Sequence, residues 1–271
     1  MGQRAPPAAA AEFAAPPESL EGGIAQVREV LRGAFAGKRR GKGKGKAAGS
    51  ARGSRLIVEF PLMDESPEAL VDVVASMLEE AALPYPAEVR FASPAAAALA
   101  ECPTVADAEA PGVPGAVLVA VGPAADDVPA LSALVSRAGW AGVVLINPGF
   151  TDAAQVLPDY QAFVRTFQVM YSLLPLSIQG LMGSTTEGAV FRCVTAPVGA
   201  AAAVPWTIFI QRGGEFTVAG KMAGRPGNKE IEDTFYNQMA KDSIVNQGIA
   251  GLRQNLGKAA GSIAKAFEKK E

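Results

Sequence analysis

The side chains best suited to chemistry come shortly after three short apolar segments of the sequence. Asp64 and Glu65 follow the first of these segments, Asp126 follows the second, and Asn147 ends the third. Paired carboxylates can bind a metal ion or act as acid and base, and an asparagine amide can hold a polar ligand. The candidate ligand-binding residues are therefore Asp64, Glu65, Asp126 and Asn147.

Each of these residues also has a structural interpretation, and both interpretations stay open at this stage. Asp64 and Glu65 directly precede Ser66-Pro67, where a serine N-cap and a proline at the first helical position favour a helix start. Acidic residues there also stabilise the helix dipole, and the same argument applies to Asp126. Asn147 is followed by proline and glycine, which is an ordinary turn sequence.

Composition excludes several common kinds of active site. The chain of 271 residues contains no histidine, which excludes Ser-His and Cys-His catalysis and the commonest transition-metal ligand. Cys102 and Cys193 are far apart and form no CxxC pair, so neither a disulfide scaffold nor a cysteine zinc site is indicated. The sequence predicts no catalytic residue, no metal site and no cofactor.

Charge is distributed unevenly along the chain. Residues 37–55 contain eight basic residues and no acid; removing these from the total of 25 leaves 17 basic against 27 acidic residues. We call residues 37–54 the basic segment, and its contacts with an anionic partner are predicted at Lys38, Arg39, Arg40, Lys42, Lys44 and Lys46. Such a segment suits an anionic membrane, an acidic protein or nucleic acid. Nucleic acid is the least favoured partner, because no aromatic side chain is interleaved for base stacking.

The elements that must position the candidate residues alternate between strand and helix. The apolar runs predict strands at 55–60, 89–92, 116–121 and 142–147, and helices at 66–83, after Ser93-Pro94, at 129–138 and at 159–171. Beyond Pro175 the short runs 177–182, 189–195, 206–212 and 215–222 predict further strands, the last two joined by a Gly-Gly hairpin. They form either an antiparallel extension of the same sheet or a separate small β layer.

The predicted fold class is therefore α/β: a Rossmann-like, mostly parallel sheet with helices on both faces, extended by antiparallel strands, plus N- and C-terminal helices. The expected organisation is a disordered tail (1–17), an amphipathic helix (18–36), the basic segment as a flexible linker (37–54), the α/β domain (55–226) and a C-terminal helical tail (227–271). No apolar run reaches the 18 or more residues that a membrane-spanning helix needs.

Several segments, taken in order, carry a family resemblance. They are Arg55-Leu-Ile-Val-Glu-Phe-Pro61, Val143-Val-Leu-Ile-Asn-Pro148, Phe167-Gln-Val-Met-Tyr-Ser-Leu-Leu-Pro175, Gly188-Ala-Val-Phe-Arg192, Pro205-Trp206 and Arg225-Pro226. Over about residues 18–226 the chain resembles a family of domains of unknown function from plants, algae and cyanobacteria. That family includes low photosystem II accumulation protein three and the C-terminal domain of a plastid adenylate kinase.

The resemblance implies a location and a role. A member of this family is expected in the chloroplast stroma, associated with thylakoids, as a non-enzymatic assembly or interaction factor for photosystem II membrane proteins. The implied partners are membrane-protein assembly partners and the anionic thylakoid surface. Two alternatives stay open: a small-ligand, nucleotide-binding or enzymatic role at the carboxyl edge of the sheet, and nucleic-acid binding through the basic segment.

Overall fold

The computed structural model describes residues 15–36, 53–62, 64, 66–79, 83–137, 139–179 and 185–242. The predicted contact residues of the basic segment, Glu65, and residues 243–271 of the predicted C-terminal tail lie outside these ranges. The helices are α1 (Leu20–Phe35), α2 (Pro67–Leu78), α3 (Pro94–Leu99), α4 (Val128–Arg137), α5 (Pro158–Val164) and α6 (Asn228–Asp242). The strands are β1 (Ser54–Glu59), β2 (Ala87–Phe91), β3 (Val117–Val121), β4 (Gly142–Ile146), β5 (Gln168–Gln179), β6 (Thr185–Cys193), β7 (Trp206–Arg212) and β8 (Glu215–Met222).

All eight strands belong to one sheet, in the order β2-β3-β4-β1-β5-β6-β7-β8. The first five strands run parallel, and β6, β7 and β8 continue the sheet in antiparallel pairs. Parallel neighbours require crossover connections, whereas β7 and β8 are joined by Gly213-Gly214, both at positive φ, as a tight hairpin turn demands. The predicted α/β fold class is confirmed, and the antiparallel strands extend the same sheet.

Apolar residues on both faces of the sheet account for the two helical layers. Alternate residues of a strand point to opposite faces, so that Leu56 and Val58 pack with α1, α2 and α3, while Ile57 packs with α4 and α5. Over the antiparallel strands the second face is covered by α6, whose Phe235 is fully buried against Val190 and Ile208. Because β3, β4 and β1 are parallel neighbours, their carboxyl ends lie side by side at one edge of the sheet.

The helix predicted over 159–171 is wrong in its second half. In the structure α5 ends at Val164, and β5 begins at Gln168 and pairs in parallel with β1. Phe167 lies four residues after Phe163 and three after Val164, and these spacings mimic a helical stripe. The unpaired side of β1 requires a neighbouring strand, and this tertiary requirement overrides the local pattern.

Two further boundaries differ from the prediction. Helix α2 ends at Leu78 instead of near residue 83, because the backbone of Glu79 is already extended. Strand β5 continues through Pro175, although proline normally interrupts a sheet. It is tolerated because β1 pairs with β5 only as far as Ser172, so that Pro175 has a neighbouring strand on one side, in β6. Within the described ranges, every helix is too short or too polar to cross a membrane.

Candidate functional site

Asn147 ties the ends of two parallel strands together. Its side-chain Oδ1 accepts a hydrogen bond from the Phe60 N–H (2.6 Å), and its Nδ2 donates to the Phe60 carbonyl (2.8 Å). Its backbone N–H donates to the Val58 carbonyl (2.8 Å). The amide group therefore continues the β1–β4 ladder beyond β4, from a residue in the left-handed conformation (φ 48°).

Asp64 lies at the start of α2. Its Oδ1 accepts a hydrogen bond from the Ser66 N–H (2.8 Å), and Ser66 Oγ accepts from the Ala69 N–H (3.3 Å). Both contacts satisfy backbone donors that a helix N-terminus leaves without partners in the helix. Asp64 is exposed, so a ligand contact at this residue stays a prediction.

Asp126 lies in the 3-10 turn Ala125–Asp127 that leads into α4, and it is exposed. In the same turn the Oδ2 atom of Asp127 accepts a hydrogen bond from the Ala124 N–H (2.8 Å). The turn lies beside the one that carries Asn147, because the Gly149 N–H donates to the Pro123 carbonyl (2.9 Å). The structure thus places Asp126 and Asn147 in adjacent turns that a backbone hydrogen bond connects.

Within the ranges that the structure describes, no three side chains among Cys, Asp and Glu come together in a group that could hold a metal ion. The carboxylates of Asp64 and Asp127 are used separately, each as acceptor for a backbone N–H group at its own helix or turn start. These contacts account for Asp64 and Asp127 as caps.

A second polar group lies across the sheet from β1 to β7. Glu59 pairs with Ser172, and Ser172 pairs with Arg192, in neighbouring strands. Phe191 pairs with Thr207, which sets Arg192 beside Trp206. Laterally adjacent residues of a sheet share one face. We call the Arg–Trp cluster the group formed by Glu59, Ser172, Arg192 and Trp206 together with Arg225, which lies in the segment after β8.

The carboxylate of Glu59 is the acidic centre of the Arg–Trp cluster. Its Oε2 accepts a hydrogen bond from Ser172 Oγ (2.6 Å), and its Oε1 pairs with Arg225 Nη1 (2.5 Å). The side chains of Glu59 and Arg225 are 10% and 26% exposed. A carboxylate this buried is stable only with such partners, and Glu59 has one on each oxygen.

Arg192 is the second cation of the cluster. Its guanidinium carbon lies 5.2 Å from the centroid of the Trp206 ring, and that of Arg225 lies 5.4 Å from the same ring. Arg192 Nη2 donates to the Ala201 carbonyl (2.7 Å), whereas its buried Nε has no hydrogen-bond partner in the described part of the chain. Burial lowers the pKa of Arg192, because the charged form is the costlier one to desolvate.

The Arg–Trp cluster is not among the sites that the sequence predicts. The predicted candidates are polar residues at or just after the ends of parallel strands, whereas Glu59 lies within the predicted first strand, and Arg192 and Trp206 belong to antiparallel strands. A usable signal was nevertheless present, because all five residues of the cluster fall within the segments that carry the family resemblance. Their convergence depends on strand pairing that those segments do not reveal.

Two surface cavities lie away from both groups of residues. One, of about 540 Å³, is found where β1 and β4 begin, and Arg55, Trp140 and Phe163 contribute to its wall. In it the guanidinium of Arg55 lies 5.0 Å from the centroid of the Phe163 ring. The other cavity lies where β6 begins and β7 ends, beside Met239 of α6. Neither cavity includes a residue of the Arg–Trp cluster or a candidate from the sequence.

Comparisons with known proteins give one match. A family model described as a domain of unknown function (DUF1995) matches residues 17–233. That range begins just before α1, contains all eight strands and ends within α6. No curated protein and no solved structure matches the chain.

Proposed function

Because the chain belongs to the DUF1995 family of domains of unknown function, we propose that it is a non-enzymatic interaction factor of the plastid stroma. In this role it assists the assembly of thylakoid membrane proteins, those of photosystem II in particular. The sheet domain provides a rigid body, and the basic segment contacts the anionic thylakoid surface. The resemblance to a photosystem II assembly factor supports the location and the process.

One observation carries the non-enzymatic part of this proposal. Three polar side chains at the carboxyl edge, where α/β enzymes usually place their reactive residues, are used by the fold itself. Both ends of the Asn147 amide bind the backbone of Phe60, and the carboxylates of Asp64 and Asp127 bind backbone N–H groups at helix starts. These residues therefore act as caps and connectors.

The attachment points of the basic segment support its role as a contact region. Helix α1 ends at Phe35, whose ring packs against Gly142, and β1 begins at Ser54, which pairs with Gly142. The described residues on either side of residues 37–52 therefore lie where β1 and β4 begin, opposite the carboxyl edge. Each basic residue near an anionic membrane contributes roughly 1 kcal/mol, less where salt screens it.

Co-sedimentation with vesicles tests this proposal. The full chain is compared with a variant in which Lys38, Arg39, Arg40, Lys42, Lys44 and Lys46 are replaced by glutamine. A matched control keeps the composition of residues 38–46 but scrambles their order. Binding to vesicles with anionic lipid should weaken by about tenfold or more in the glutamine variant, and the scrambled control should bind like the parent.

Two results would contradict the proposal. Equal binding of the parent and the glutamine variant would exclude the basic segment as the membrane contact. Tighter binding to single-stranded or duplex nucleic acid than to vesicles, with an affinity that falls steeply with salt, would favour the nucleic-acid alternative. Fractionation of chloroplasts tests the location, and recovery of the protein outside the plastid would exclude it.

A further inference from the structure

Charges in the Arg–Trp cluster do not balance. The cluster contains two guanidinium groups and one carboxylate, and the two oxygens of that carboxylate are used by Arg225 and Ser172. No carboxylate of the described residues lies within ion-pair distance of Arg192. Arginine stays protonated at neutral pH even where its pKa is lowered. The cluster therefore carries one net positive charge.

The N–H groups of Arg192 indicate where an anion would bind to neutralise this excess charge. Its Nη2 donates to the Ala201 carbonyl (2.7 Å) and carries a second proton, while its Nε is buried without a partner in the described ranges. A guanidinium commonly binds a carboxylate through two parallel N–H groups. A buried polar atom that lacks a partner is costly, so an oxyanion that accepts from Nε would remove this cost.

The Arg–Trp cluster is only partly covered by the rest of the protein. Arg192 is half-buried, and the side chain of Arg225 is 26% exposed, so the cluster reaches solvent on that side. Trp206 is itself 3% exposed, and its ring lies beside both guanidinium groups. The site thus combines a partly exposed cation, a buried aromatic ring that supports it, and a hydrogen-bonded acid that holds the second cation in place.

We propose that the Arg–Trp cluster is a binding site for the carboxylate group of a small-molecule ligand. Arg192 anchors the carboxylate, the Trp206 ring supports the Arg192 guanidinium, and the Glu59–Ser172 pair orients Arg225. A single carboxylate neutralises the net charge of the cluster, whereas a phosphate dianion would reverse it. The location agrees with the general position of ligand sites in α/β sheets, because β1 reaches its carboxyl end at Glu59.

Titration of the full chain with simple carboxylates tests this site. A Trp140→Phe background leaves Trp206 as the single tryptophan, so that its fluorescence reports on the cluster. Acetate and benzoate are compared with inorganic phosphate and chloride at constant ionic strength. The ¹⁵N resonance of the Arg192 Nε–H group provides a second readout, because a carboxylate bound there must shift it.

Variants separate the site from general charge effects. Arg192→Gln should weaken carboxylate binding by roughly tenfold, the scale of a charge-assisted hydrogen bond. Arg192→Lys keeps the charge but loses the paired N–H groups, so its affinity for the carboxylate should lie between those of the parent and of Arg192→Gln. The matched control is Arg165→Gln, which removes an exposed arginine bonded to Gln161 and should change the affinity by less than about twofold.

Three outcomes would overturn the proposal. Fluorescence and the Nε resonance that show no saturable response to any probe would exclude the site. Binding that is unchanged in Arg192→Gln would exclude its anchoring role; if that variant does not fold by circular dichroism, Arg192→Lys and the Nε resonance decide. Saturable binding of phosphate without binding of carboxylates would exclude the carboxylate as the recognised group. Vesicle binding through the basic segment is independent of all three.

Discussion

At the scale of single residues, the ion pair between Glu59 and Arg225 connects the last residue of β1 with the segment after β8. The two residues are 166 positions apart in the sequence. The pair sits beside Ser172 and Trp206, in a region where the Glu59 side chain is 10% exposed. Removing one partner of such a pair costs more than the pair itself contributes, because it leaves a charge without its counterion.

Arg225→Gln should therefore lower the free energy of unfolding by about 2–3 kcal/mol, just below the range for fully buried pairs because Arg225 is partly exposed. The matched control is Lys229→Gln, which breaks the exposed pair of Lys229 and Asp233 and should leave stability unchanged within error. Urea denaturation at pH 7 measures both variants. Equal stability of the two variants would show that the Glu59 carboxylate does not need Arg225 as its counterion.

The local roles of some residues could be predicted from the sequence. Ser66-Pro67 and Ser93-Pro94 indicated helix starts, and in the structure both serines cap a helix whose first residue is the proline. These predictions succeed because an N-cap contacts an N–H group three residues away, so the chain itself supplies the partner. Nothing comparable identifies Glu59, whose partners lie more than a hundred residues away.

At the scale of elements, Asn147 shows how a turn residue can complete a strand pair. Its backbone is in the left-handed region (φ 48°), and its amide makes two hydrogen bonds to Phe60 at the end of β1. Asparagine tolerates this backbone conformation better than other residues with a Cβ atom. The turn and the strand bridge are therefore provided by the same side chain.

Two substitutions separate these contributions. Asn147→Gly keeps the backbone conformation and loses both side-chain hydrogen bonds, which should cost about 1–2 kcal/mol of unfolding free energy. Asn147→Ala loses the same bonds and adds the left-handed strain, so it should cost about 1 kcal/mol more. Chemical denaturation measures the difference. If alanine were tolerated as well as glycine, the backbone conformation would not be a source of strain.

One element was predicted wrongly, because its apolar residues fit both the period of a helix and that of a strand. The apolar residues after Pro158 fit a helix through 171, yet the chain leaves the helix after Val164 and enters β5 at Gln168. A short apolar run does not distinguish a buried helix from a buried strand. The choice is made by β1, which acquires its second parallel neighbour from this segment.

At the scale of the whole molecule, β5 joins the parallel and antiparallel strands into one sheet. It is 12 residues long and pairs with β1 through its first part and with β6 along most of its length. Its Tyr171 is fully buried, stacked on Phe60 of the segment after β1 and edge-on to Phe191 of β6. The shared aromatic contacts favour a single cooperative unit.

The two tryptophans of the chain test this cooperativity, because they report on different parts of the sheet. Trp140 precedes β4, where its indole N–H donates to the Leu134 carbonyl (3.1 Å), and Trp206 begins β7. In Trp140→Phe and Trp206→Phe variants, the fluorescence midpoint in urea should coincide with the circular dichroism midpoint of the same variant. Separate midpoints would show that the antiparallel strands unfold independently.

Taken by itself, the sequence determined the α/β class, most strand positions and the helix starts, because these depend on period, caps and turns within a few residues. Only the tertiary structure decided that β5 follows α5 so closely and that Glu59, Ser172, Arg192, Trp206 and Arg225 meet. The physical reason is strand register. Pairing brings together residues far apart in the chain, and the burial of apolar faces that selects this pairing is a property of the whole sheet.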